Sequence, residues 1–351
     1  MKIESITRTG LYIDDVTFHA DVEYIESLWQ RRGVPLWSPS RLGRSPSGSG
    51  NIDLPLIDIG GGEPLVFVPI LEHLEFVYAR QIRAFSSTRR VIMYRRQESR
   101  TRTVGLVERA EELKRVLDSL GLEQADFVGH GDGAMVLFEF AIRYPRKCRS
   151  LIIIAQGADY RIAPHPFIWL LHELFLRLPV EHFLPASFLR RIVINYIVSN
   201  DPAGAKKLKR ASLLASSPYY LSPGQGEAGG RSLVTPAADT KSTGMLPRKL
   251  IEEQFRKIAL WPFVYKFSVL PIIHNFDIQK RLASLTMPIL LINRANDALS
   301  PEPKTRWLAQ NLPDCAGYHV ISGEERFFMY AEAETVNQLF RQFLASGNES
   351  V

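Results

Sequence analysis

The sequence predicts an α/β protein: a mostly parallel sheet flanked by helices, with a helical insertion late in the chain. Three observations carry that expectation. Short, nearly continuous apolar runs recur along the chain, amphipathic stretches of helical period separate several of them, and the alternation stops between Tyr160 and Asp277. Strands covered on both faces read as unbroken apolar runs, because neither side of the pleat meets water.

The elements follow in order. The first 53 residues form an N-terminal extension, with a strand-like stretch, a helix near Val22–Gln30 and a Ser/Gly-rich run, Arg44–Gly50, that reads as a loop. Strand-like runs then appear at Pro64–Ile70, Val91–Tyr94, Ala125–Val128, Leu151–Ala155 and Pro288–Asn293. Helical patterns cover Gly105–Leu120 and Ala134–Tyr144. Residues 54–159 and 278–346 thus form one core. Residues 160–277 form the insertion: Pro166–Leu178, Phe183–Val198, Leu250–Ile258 and Pro262–Ile273 read as helices, and 216–247 as a flexible Ser/Pro/Gly-rich loop. An apolar helical insertion between two strands suggests a lid over a binding crevice, with Phe167, Trp169, Phe175, Phe183 and Phe188 available to enclose a hydrophobic molecule.

Composition sets outer limits. Hydrophobic residues make up 46% of the 351 and charged residues 23%, which excludes a disordered or collagen-like chain. The formal charge of +6 is too dilute to argue for nucleic acid. Cys148 and Cys315 make neither a disulfide framework nor a metal spacing and suit a reducing compartment. No stretch is long and apolar enough for a membrane span, and the first residues lack a signal-peptide pattern, so a cytoplasmic location is expected.

The segment Val128–Cys148 reads VGHGDGAMVLFEFAIRYPRKC. It resembles the strand, sharp turn and helix of the α/β-hydrolase superfamily, whose turn is written G-x-S-x-G. Gly129 and Gly133 occupy the two small positions, and the nucleophile position is Gly131. The resemblance spans roughly Leu54–Tyr160 and Asp277–Leu344. It places the family's acidic residue on Asp297, within Asn293–Pro301, and its catalytic histidine on Arg326. The His-Gly pair that shapes the family's oxyanion hole becomes Pro69-Ile70, with no N–H on Pro69. The family's Asp-x-Arg-Gly-x-Gly turn becomes Arg95–Arg100.

These departures decide the chemistry. Glycine offers no attacking atom, and a guanidinium stays protonated at neutral pH, so it is no general base. Ordinary serine hydrolysis is therefore not expected. Asp132 is a candidate nucleophile, but it stands one position past the turn and reads equally as a helix N-terminal acid. Asp297 and Arg326 should form a bidentate ion pair, either stapling two loops or presenting spare donors to a carboxylate or phosphate. Six arginines between Arg89 and Arg102 read as a solvated face or as a surface for an anionic ligand or protein partner. His73, His130, His165, His172 and His274 read as structural. No metal spacing, dinucleotide fingerprint or phosphate loop occurs, so no cofactor is expected.

The sequence thus points to a hydrophobic small molecule held near Pro69, Ile70, Leu71, His130, Gly131, Asp132, Arg326, Phe167 and Trp169, and handled without hydrolysis as a cyclase, isomerase or lyase would. A non-catalytic binding protein and a hydrolase using Asp132 are the alternatives.

Overall fold

The computed structural model describes residues 13–35, 51–159, 166–197, 246–274, 276–295, 297, 299–321 and 326–346. Among the described residues, eight strands form one sheet in the order β1-β2-β4-β3-β5-β6-β7-β8. They are β1 (Gln30–Pro35), β2 (Asn51–Ile59), β3 (Pro64–Phe67), β4 (Arg90–Tyr94), β5 (Ala125–His130), β6 (Cys148–Ile154), β7 (Ile289–Arg294) and β8 (Cys315–Ile321). β2 runs antiparallel to both β1 and β4, and every other pairing is parallel. β5 and β7 are buried along their whole length, which is why their sequences read as apolar runs. The expected α/β class with a mostly parallel sheet is what the chain adopts.

Two N-terminal readings are corrected. Helix α1 spans Asp15–Leu28, starting well before Val22, because the Asp14 carboxylate caps it by accepting the Thr17 N–H at 2.7 Å. The boundary drawn after residue 53 falls inside β2, whose ladder with β1 runs from Gln30 against Leu56 to Pro35 against Asn51. Residues 13–35 therefore belong to the same sheet and core. Phe18 of α1 is fully buried, its ring 4.9 Å from Phe76 and 6.0 Å from Tyr330, and buried Asp21 takes Arg80, Arg83 and the Tyr330 hydroxyl.

Helices α2 (Ala79–Phe85), α3 (Leu106–Ser119) and α4 (Asp132–Arg143) connect the first core strands. After β6 the chain leaves the sheet, and it returns at an isolated antiparallel bridge between Asp159 and Asp277, with Ile278 N donating to Ala158 O at 2.9 Å. Between these points lie α5 (Pro166–Arg177), α6 (Ala186–Ile197), a helix over Arg248–Lys257 and a final run from Trp261 to Ile273. His165 and the expected loop 216–247, apart from Leu246 and Pro247, lie outside the described residues.

That final run contains a π-helical turn, Tyr265–Val269, between two short α-helical pieces. Pro271 explains it. Proline has no N–H for the carbonyl four residues back, and its ring crowds that oxygen. The Phe267 carbonyl so released accepts the Val104 N–H at 2.8 Å. The insertion is further held by Lys266, whose ammonium lies 2.6 Å from both Glu181 and the Leu178 carbonyl.

Candidate functional site

β5 ends at His130, and at Gly131 the chain turns sharply into α4. Gly131 has φ +54° and ψ −120°, its N–H bonds to Ile154 O at 3.1 Å, and its carbonyl accepts Ala134 N and Met135 N. The turn is tight enough to dictate the flanking glycines. A Cβ on Gly129 would lie 2.7 Å from the Ala134 Cα, and one on Gly133 would lie 2.8 Å from Val68 O. A Cβ on Gly131 would instead meet a side chain, Arg326 Nη2, at 3.3 Å. The strand, turn and helix of a nucleophile elbow are therefore built, and a guanidinium stands over the position where the nucleophile would project.

Arg326 follows β8, and Asp297 lies on the turn after β7. The two meet, but not as the expected two-nitrogen fork. Arg326 Nη1 alone donates to both Asp297 oxygens, at 2.9 and 2.8 Å, while Nη2 makes a long 3.4 Å contact to Ala155 O above Gly131. The Asp297 carboxylate also accepts the Leu299 and Ser300 N–H groups at 2.8 Å. With the Arg326 side chain only 10% exposed, the pair is fixed in place.

His130, the last residue of β5, is buried. Its Nε2 lies 3.2 Å from Arg326 O, and because a carbonyl only accepts, Nε2 carries the proton and Nδ1 is bare. Burial first, and the Arg326 charge second, push His130 down to about 4, so the ring is neutral near pH 7. Tyr78 donates its hydroxyl hydrogen to Val68 O and accepts the His130 backbone N–H, tying β3 to β5 behind the turn.

Asp132 faces Arg96 Nη1 at 2.7 Å. Arg96 is almost fully buried and also contacts Glu98 at 2.5 Å, while Arg109 reaches Glu98 at 3.1 Å and Glu112 at 2.7 Å. Burial alone would raise Glu98, but Arg96 and Arg109 outweigh it and hold its carboxyl below the ordinary range. Ser268 of the insertion closes this network by accepting Ser99 N at 2.6 Å.

The arginine run is therefore neither an open solvated face nor a free anion surface. Arg89 pairs with Asp126, Arg90 with Asp58, Arg95 with Glu75 and Glu26, and Arg100 with Glu72. Acids distant in sequence converge on it once the sheet forms. Of the six, only Arg102 is an exposed residue without an ion pair among the described residues.

Above the turn lies a cavity of about 630 Å³ between the core and the inserted helices. Ile70, Leu71, His130, Gly131, Asp132 and Arg326, each named from the sequence as a ligand-binding candidate, line it. Pro69 is buried but does not form part of the wall, and the side chains of Phe167 and Trp169 lie outside the described residues. Phe175 and Phe188 line the cavity, whereas Phe183 is 82% exposed and turned away from it. The sequence reading missed His172 as a wall residue, along with Trp261 and Tyr265. Their helices were legible, but the side of each that faces the core was not. Among the described residues no group of His, Cys, Asp and Glu could hold a metal.

No family model matches the chain. It is 25% identical over 284 residues to a protein of Azorhizobium caulinodans bearing the name carbamate hydrolase RutD, covering 79% of this chain and 90% of that one. Among solved structures, an esterase from Thermogutta terrifontis superposes with a TM-score of 0.59 at 18% identity, covering 91% of this chain and 99% of that one. The enol-lactonase from Burkholderia xenovorans LB400 gives 0.57 at 15% identity, covering 83% and 97%. Sheet order, elbow geometry and these likenesses together show that the chain has the α/β-hydrolase fold.

Proposed function

We propose that the chain binds a hydrophobic small molecule in the cavity beneath the inserted helices, which act as its lid, and converts it without a covalent enzyme intermediate, as a cyclase, isomerase or lyase does. The observation that carries this reading is Arg326 Nη2 standing over Gly131 in a wall that is otherwise mainly apolar. The elbow that would present a nucleophile presents a hydrogen-bond donor instead. A carbonyl oxygen placed there would accept from Nη2 and be polarised by it, and the apolar wall would fold the remainder of the molecule against itself and exclude water. His130, neutral and with Nδ1 bare, stands beside it as an acceptor.

The carbamate hydrolysis in the relative's name would need an attacking group here. Asp132 is the carboxylate nearest the elbow in sequence, and Arg96 holds it. A non-catalytic binding protein is the second reading, favoured by how completely the Asp297–Arg326 pair occupies the triad positions. The anionic head group expected from sequence finds less support. Arg326 is matched by Asp297, and Arg96 and Arg109 face three carboxylates, Glu98, Glu112 and Asp132, so the polar end of the cavity offers donors without a net positive charge. Cytoplasmic residence stays part of this proposal, supported by the unpaired Cys148 and Cys315. Among the described residues no helix is long and apolar enough to cross a membrane.

Native mass spectrometry of the freshly purified chain tests the reading. A co-purified apolar molecule, lost in Arg326→Ala, is the expected result. Covalent labelling by a fluorophosphonate serine-hydrolase probe would overturn it.

A further inference from the structure

The inserted helices contribute a second polar point to the cavity. Nearly all of their wall residues are aliphatic or aromatic, and His172 of α5 is the exception whose ring nitrogens are neither hydrogen-bonded to another described residue nor sealed from the cavity. Trp261 Nε1 also lacks an acceptor among the described residues, but it is sealed off. The His172 ring is not loosely placed. His274, at the end of the Leu270–Ile273 helix, stands edge-on to it at 6.1 Å, and His274 Nε2 is 2.8 Å from the Glu173 carboxylate on α5. One helix thus supplies both the imidazole and the anchor of the ring that braces it.

From this geometry we infer that His172 is a specificity residue, reading a hydroxyl or amide hydrogen on an uncharged, apolar ligand whose carbonyl lies against Arg326. The inference rests on the ligand-binding reading above and narrows its ligand class. Three points carry it. The half-buried His172 ring opens into a mainly apolar cavity, where an apolar ligand would cover its nitrogens and displace water, so a ligand group that hydrogen-bonds them avoids the cost of leaving them unpaired. Burial, reinforced by His274, pushes His172 down to about 4, so the ring is neutral and has a lone pair to offer. The opposite end of the cavity brings no net positive charge, so a carbonyl suits it better than a carboxylate or phosphate. An aliphatic ligand lacking any donor would leave His172 unsatisfied, and a site built to hydrogen-bond a group discriminates strongly against analogues without it.

The test uses 2-decanone, its hydroxylated relatives with the hydroxyl on carbons 6 to 10, and decanoate as the charged control, titrated calorimetrically into the full chain. At least one hydroxylated ketone should bind about tenfold more tightly than 2-decanone, in line with one added hydrogen bond, and decanoate should bind more weakly than either. His172→Phe should remove the hydroxyl preference while leaving 2-decanone affinity within about twofold. His172→Gln, which keeps an acceptor and guards against a folding failure in the Phe variant, should retain part of the preference. Equal binding of every ketone to the wild type, or a preference that survives His172→Phe, would overturn the inference and leave ligand binding intact. Absence of binding by every probe would instead count against the reading on which it rests.

Discussion

The two walls of the cavity handle their polar groups in opposite ways. On the core side almost every charge is answered by another: Arg326 by Asp297, Asp132 by Arg96, and Arg96 and Arg109 by Glu98 and Glu112. On the inserted side the His172 ring nitrogens make no hydrogen bond to another described residue, within a wall of mainly aliphatic and aromatic side chains. The core wall is tied together by ion pairs, whereas the inserted wall has His172 nitrogens with no hydrogen bond to another described residue.

The contrast implies a ranking of effects. Arg96→Met strikes the closed side hardest, because it takes the ion pair from Asp132 and leaves buried Glu98 with Arg109 alone, and it should cost about 3–5 kcal/mol of stability by urea unfolding. Next comes pH. Because His130 is depressed from 6.5 to about 4, the unfolded chain binds a proton there that the folded chain does not, and stability should fall as pH drops through that window. The contribution is about 3 kcal/mol. Glu75 acts with the opposite sign, since burial raises it to about 7 and its contribution is lost as pH rises toward that value. The comparison that isolates His130 is therefore wild type against His130→Gln, whose unfolding free energy should be flatter between pH 4 and 6.5.

Gly131→Ser should cost about 1–3 kcal/mol, from side-chain strain at a positive φ and from crowding of Arg326 Nη2. It should gain no labelling by a fluorophosphonate, because Arg326 stands over the new hydroxyl and His130, pushed down to about 4, is too weak a base to activate it; robust labelling would show that Arg326 does not block the site. Arg177→Ala should register least. Its pair with Glu173 lies on the surface with the arginine 77% exposed, and the loss should stay below about 0.5 kcal/mol by thermal unfolding.

How much of this could be read from sequence follows from the range of each interaction. The elbow was legible because its constraints are local: Gly129, Gly131 and Gly133 sit in fixed register with the strand before them and the helix after. Arg326 and Asp297 were legible as positions, but the sharing of one nitrogen between two carboxylate oxygens depends on the angle at which two loops meet. The ion pairs of the arginine run were not legible because Asp58, Glu75 and Asp126 come from other strands and turns, and no spacing rule joins them to it. Helix α1 did carry a local signal in Asp14, which the reading passed over. His172 looked like an ordinary amphipathic-helix histidine, and only the packing of α5 against the core determines which side it faces.

The Pro271 turn has one more consequence. An α-helix advances about 100° per residue, so the wide turn at Tyr265–Val269 offsets the two ends of that segment by roughly one residue of rotation. Val269 and Ile273 face the cavity, while Ser268, inside the wide turn just before Val269, reaches back to Ser99 and buried Arg109. Deleting a single residue there would leave the amino-acid content nearly unchanged and yet rotate the downstream wall out of phase, so the length of this segment is under tighter constraint than its chemistry.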